Sequence, residues 1–218
     1  MDSAESRQRP VPSGPVPCPT KILIVGGPGS GKTTFLRSAA GRTLATPTAS
    51  AHGGRLRRHR RVRHAPALEL GRITLDHDLV LYLFSADRTE PGARLWHDLA
   101  HGAIGAIVLA DPRRLEESFA VLDAVEHWHL PFVVAVNRFG PMAHTANDIR
   151  EALAVPGEVP VMFCDARQPL SARAILHRLV RHTIMRTVMP HLGTTRRRRR
   201  TGATPLTNLR HISSRSAR

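Results

Sequence analysis

The stretch GGPGSGKT, Gly26 to Thr33, sets two glycines, a lysine and a threonine at the spacing G-x-x-x-x-G-K-[ST]. That spacing suits the holding of phosphate. Gly26 and Gly31 permit backbone angles that a side chain would hinder. Amide groups from Gly29 through Ser30 and Gly31 to Thr33, with Thr34 behind them, can then converge on a β-phosphate at the positive end of a helix. Lys32 is placed to set its ammonium between β- and γ-phosphates, and the Thr33 hydroxyl is the expected protein ligand of Mg²⁺. None of these residues reads a base, so GTP and ATP both stay open on this motif alone.

Such a loop needs a strand before it and a helix behind it. KILIVG (21–26) supplies the strand, and the helix is expected over 32–40. Residues 41–67 carry no sustained periodicity and are expected as a long mobile basic loop. Two strands follow within LELGRITLDHDLVLYLF (68–84), too close together for a crossover, so they must pair antiparallel as an edge hairpin. Strands at 103–111, 131–137 and 159–165 then alternate with helices at 113–129, 145–154 and 171–189, the last with Ser171 as its N-cap. Continuous Val/Ile/Leu strands separated by helices predict an α/β fold: a mostly parallel six-stranded sheet with one antiparallel edge hairpin and helices on both faces.

The chain has 218 residues and a formal net charge of +15, enough for one substantial domain with tails. The charge is unevenly spread. Lys21–Gly54 and Leu68–Pro190 are nearly balanced, and the excess sits at Arg7 and Arg9, in RLRRHRRVRH (55–64) and after Arg196. We therefore expect a disordered segment over 1–19, a domain over 20–191 and a disordered Arg-rich tail over 192–218. Flexible arginines bind polyanions in a salt-dependent way, anionic membrane surfaces included, and no interleaved aromatics point to base stacking. No apolar run approaches 18 residues and no secretory leader is visible, which predicts a cytoplasmic protein, peripheral at the inner membrane face if the basic segments dock there.

The loop, the hairpin, GAIGAIVLAD, LPFVVAVN and CDAR, taken in this order, resemble the small Ras-like GTP-binding proteins of actinobacterial conservon operons, which are related to the polarity GTPase MglA. The similarity covers roughly 20–35 and 68–189. It implies a P-loop NTPase with a Ras-like G domain, bound GTP or GDP with Mg²⁺, and protein partners in signalling. It also implies that Asn137 tethers the loop, that the Ala166 amide meets the purine O6, and that Asp165 reaches the base as part of the same motif. Several family positions differ. The G-T-P-G-Q motif is replaced by Ser85, Ala86, Asp87, Arg88 and Thr89, which removes the water-orienting glutamine. Where the family carries threonines over Mg²⁺, this chain has Val62, Arg63, His64 and Ala65. The aspartate that takes two guanine hydrogen bonds is Gly140.

No residue is therefore assigned a catalytic role. The expected function is nucleotide binding with weak or no hydrolysis, acting through partners. The alternatives are a slow GTPase assisted by a partner, a small-molecule kinase, and a nucleotide-free interaction module. The kinase is disfavoured by the hairpin, which stands where a kinase needs a helix. Thirteen histidines include no spacing that specifies a metal site. Asp111 is read as a loop anchor, Trp96 and Trp128 as packing, and Cys164 as a buried small hydrophobe.

Overall fold

A computed structural model describes residues 18–41, 43–46, 68–76, 79–86, 93–140 and 144–188. Strand β1 (Cys18–Gly26) enters the glycine loop and helix α1 (Lys32–Ala40) leaves it. A short strand β2 (Thr43–Thr46) precedes the hairpin of β3 (Leu68–Asp76) and β4 (Leu79–Ala86). Helices and strands then alternate. Helix α2 (Ala93–Ala100) leads to β5 (Ala103–Ala110), and a one-turn 3₁₀ helix (Leu115–Ser118) runs into α3 (Phe119–His127). Strand β6 (Phe132–Asn137), helix α4 (Ala146–Ala152), strand β7 (Val161–Cys164) and helix α5 (Pro169–Val188) complete the order.

The strands form one sheet in the order β2-β3-β4-β1-β5-β6-β7. From β4 to β7 the neighbours run parallel, while β3 pairs antiparallel with both β4 and β2. The six expected strands are all present. β2 is added inside the stretch expected as a loop, where Thr43–Thr46 pair with Gly71–Leu68. Four residues are too few for a periodic signal. Apart from Cys18 and Pro19, which open β1, the expected tails at 1–19 and 192–218 lie outside the described residues, as do 47–67.

Parity along the strands divides the core. Leu23 and Val25, with Ala106, Val108, Val134 and Val136, face α2, α3 and α4. Ile22 and Ile24, with Ile107, Leu109, Val133 and Ala135, face α1 and α5. Each central strand is thus buried on both sides, which is why β5 and β6 read as unbroken apolar runs. Gly105 sits where α5 crosses β5: an added Cβ would lie 2.9 Å from Leu179 Cδ1.

Local chemistry sets the helix ends. Thr145 caps α4 with a reciprocal capping box, its Oγ1 accepting from Asp148 N while Asp148 Oδ2 accepts from Thr145 N. The helix expected over 113–129 is a 3₁₀ turn joined to α3. Helix α5 begins at Pro169, a residue suited to a first helical position. Ser171 is therefore inside the helix rather than its cap, and its Oγ accepts from Asp165 N at 3.0 Å. Helix α2 was not anticipated. It buries Trp96, whose ring stacks on Trp128 with centroids 6.2 Å apart and planes 19° from parallel. Both indoles are packing residues, as expected.

Candidate functional site

Chain order reverses direction at β1, which lies between β4 and β5. In such sheets the crevice beyond the strand ends at the reversal is where ligands gather, and the glycine loop emerges there. The loop closes on itself through Ser30 N donating to Gly27 O (3.2 Å). Gly29 and Gly31 have φ of 69° and 101°, left-handed angles that a side chain resists. A Cβ on Gly31 would also fall on the Asn137 amide. The first turn of α1 carries no acidic residue, so none of the helix's own first-turn side chains offsets its positive end.

Lys32 is only 6% exposed. Its Nζ donates to Gly26 O (3.2 Å) and Gly27 O (3.0 Å), folding the ammonium into the loop. Ser30 is buried, and its Oγ has no hydrogen-bond partner among the described residues. An orphaned hydroxyl and a buried ammonium inside a glycine cradle fit a polyanionic group, so a nucleotide diphosphate suits the residues present. Thr33 is half-buried at the start of α1 and is the residue that would hold Mg²⁺ beside it; Thr34 is exposed.

Asn137 ends β6 and is buried. Its Nδ2 donates to Ser30 O (2.9 Å), and its Oδ1 accepts from Ala166 N (3.0 Å). It thus staples the phosphate loop to the loop after β7, a tether of the kind the resemblance implied. The Ala166 amide, expected to meet a purine O6, is engaged by Asn137 here. Asp165, expected at the base, instead accepts from Arg167 N, Nε and Nη2, each at 2.9 Å. Those bonds hold its carboxyl down at about 2. Gly140 is exposed, and no atom of the described residues lies within 4 Å of where a Cβ would stand. Arg88, Thr89 and the 62–65 stretch lie outside the described residues.

A second brace on the loop was not foreseen beyond Asp111. Asp111, buried just past β5, accepts from Arg113 N (2.9 Å), Arg113 Nε (2.9 Å) and Arg113 Nη2 (2.7 Å). The Arg113 hydrogen bonds hold its carboxyl below the usual range, against the upward push of burial. This is the loop-anchoring role expected of it. The Arg113 guanidinium in turn lies 4.0 Å over the Phe139 ring, a cation–π contact that links the ends of β5 and β6. Arg114 reaches the phosphate loop itself: Nη2 donates to Pro28 O (3.0 Å) and Nη1 to Glu117 Oε1 (2.9 Å). The only sequence signal for it was its place directly after a parallel strand, on the ligand side of the sheet. Cys164 is free and buried, and burial pushes its thiol up to about 12, the setting of a packing side chain rather than of a thiolate nucleophile.

No family model and no curated protein sequence matches the chain. Solved structures do. The G domain of the T. maritima FeoB iron transporter aligns with a TM-score of 0.54 at 15% identity, covering 76% of this chain and 99% of that one. The cytosolic domain of the same transporter in a GDP form aligns at 0.57 and 15% identity, covering 78% of this chain and 65% of that one. A GDP-bound S. thermophilus NFeoB variant aligns at 0.54 and 16% identity, covering 73% and 60%. The chain spans nearly the whole of the isolated G domain and about two thirds or less of those longer domains. Its fold is therefore the α/β P-loop NTPase fold, which these FeoB domains also display.

Proposed function

We propose that this chain binds a guanine nucleotide with Mg²⁺ at Gly26–Thr34 and hydrolyses GTP slowly, with a partner supplying what its own loops lack. The observation that carries the reading is the cradle: a glycine loop at the sheet's reversal point, with Lys32 and the Ser30 hydroxyl turned into it and Asn137 holding it. Structural relatives solved with GDP support a guanine nucleotide. Gly140 and the engaged Ala166 amide weaken the base reading, so adenine nucleotides are rejected only modestly. Thr89 in place of a water-orienting glutamine supports slow turnover and the dependence on a partner. The resemblance to conservon-type proteins makes a signalling protein the proposed partner.

The basic segments at 55–64 and after Arg196 are proposed to add salt-dependent contact with an anionic surface, a membrane face included. No helix among the described residues is long and apolar enough to cross a membrane. A binding protein without turnover is the second reading, favoured by Arg88 and Thr89 together.

Calorimetry with GDP, GTP, ADP and ATP in Mg²⁺, followed by single-turnover GTP hydrolysis, tests both. Saturable heat that disappears in Lys32→Ala is expected, with a slow but measurable release of phosphate. Binding without any release selects the second reading, and no heat with any nucleotide overturns both.

A further inference from the structure

We propose that Arg114 is the residue by which this site tells a nucleoside triphosphate from a diphosphate: its guanidinium exchanges the Pro28 carbonyl for an oxygen of the terminal phosphate. The assignment rests on the nucleotide reading above. Its basis is the position of Arg114 over the crest of the phosphate loop. Nη2 donates to Pro28 O at 3.0 Å and lies 3.4 Å from Asp111 Oδ2, and Nη1 donates to Glu117 Oε1 at 2.9 Å. A Cβ on Gly29 would stand 2.9 Å from Nη2. The guanidinium therefore lies against Pro28 and Gly29, where the run of phosphate-facing amides begins.

Bond strengths favour the exchange. A neutral carbonyl is a weaker acceptor for guanidinium than an anionic phosphate oxygen, which adds the attraction of opposite full charges and can meet two N–H groups at once. Arg114 is 40% exposed on its side chain, so it has room to turn. Asp111 would not be stranded by the movement, because Arg113 keeps its bonds to both carboxylate oxygens.

Glu117 makes the arginine necessary. Its Oε2 is buried without a hydrogen-bond partner among the described residues, and it packs so closely on Gly27 that a Cβ there would lie 2.7 Å away. A carboxylate against the loop repels added negative charge. A diphosphate is met by Lys32 and the amides. A third phosphate brings further charge toward Glu117 and needs Arg114 between them.

The test is calorimetry of the full chain with GDP and with a non-hydrolysable GTP analogue, both in Mg²⁺. Arg114→Ala should lose about tenfold or more in affinity for the triphosphate analogue, the worth of one charge-assisted bond, and less than about threefold for GDP. Glu117→Gln should tighten the triphosphate relative to GDP, and it keeps the assignment testable if Arg114→Ala fails to fold. Equal losses for both nucleotides in Arg114→Ala, or an unchanged ratio in Glu117→Gln, overturn the assignment and leave Arg114 a brace of the loop. A wild-type chain that binds neither nucleotide overturns the nucleotide reading along with it.

Discussion

Replacing Asn137 with alanine removes one side chain and leaves two main-chain groups without partners. Nδ2 satisfies the Ser30 carbonyl and Oδ1 satisfies the Ala166 amide, and both of those residues are 1% exposed. An unmade hydrogen bond at a buried group costs about 1–3 kcal/mol. Some relaxation toward water at the loop lowers the sum, so Asn137→Ala should destabilise the fold by about 2–4 kcal/mol. For a domain of this size each kcal/mol moves the midpoint by about 2–4 °C, giving a fall in Tm on the order of 10 °C.

Urea denaturation gives the free energy directly, and the slope should stay unchanged because the exposed surface on unfolding hardly differs. Asn137→Asp provides an internal control. It keeps an acceptor for Ala166 N but sets a carboxylate against the Ser30 carbonyl, which raises the carboxyl pKa in the fold. Its protonated form can still donate to Ser30 O, so this variant should be closest to wild type at acid pH and lose stability as pH rises through the raised pKa. A change below about 1 kcal/mol in Asn137→Ala, with no pH trend in Asn137→Asp, would refute the view that this side chain holds the loop.

Gly140→Asp meets no clash among the described residues and should sharpen the preference for guanine over adenine nucleotides by about tenfold or more, read by calorimetry with the four nucleotides. Arg167→Ala should let the Asp165 carboxyl rise from about 2 toward its ordinary value of 3.8, followed by NMR titration. Because that carboxyl is depressed in the fold, the stability it contributes is present above about pH 4 and fades as pH falls through about 2. Thr145→Ala removes the side-chain arm of the capping box on α4, the Oγ1 that accepts from Asp148 N, and should cost about 1 kcal/mol in urea denaturation without changing nucleotide affinity.

What could be read in the chain followed from how locally each feature is encoded. β5 and β6 announce themselves because burial on both faces demands apolar residues at consecutive positions, and the phosphate loop does so because its glycines, lysine and threonine are neighbours in sequence. β2 does not, since its existence depends on pairing with Gly71–Leu68 rather than on its own four residues. The α5 start was misplaced because Ser171 looks like a cap, yet its hydroxyl serves the Asp165 amide of the preceding loop. Arg114 meets Pro28 across 86 positions. Only folding brings that pair together, and no local pattern marks which of two adjacent arginines turns toward the loop. The base-reading residues were placed by resemblance, and resemblance carries positions better than it carries hydrogen-bond partners, as the engaged Ala166 amide and the Arg167-bound Asp165 illustrate.

The stacked indoles of Trp96 and Trp128 have a practical consequence. They are the chain's only tryptophans, one carried on α2 and the other just past the end of α3. Emission excited beyond the absorption of Tyr82 therefore comes from this one ring pair, and a displacement of α2 against α3 that alters their overlap is expected to change it. The protein carries its own unlabelled gauge of that helix, ready to be watched in a stopped-flow cuvette as nucleotide is added.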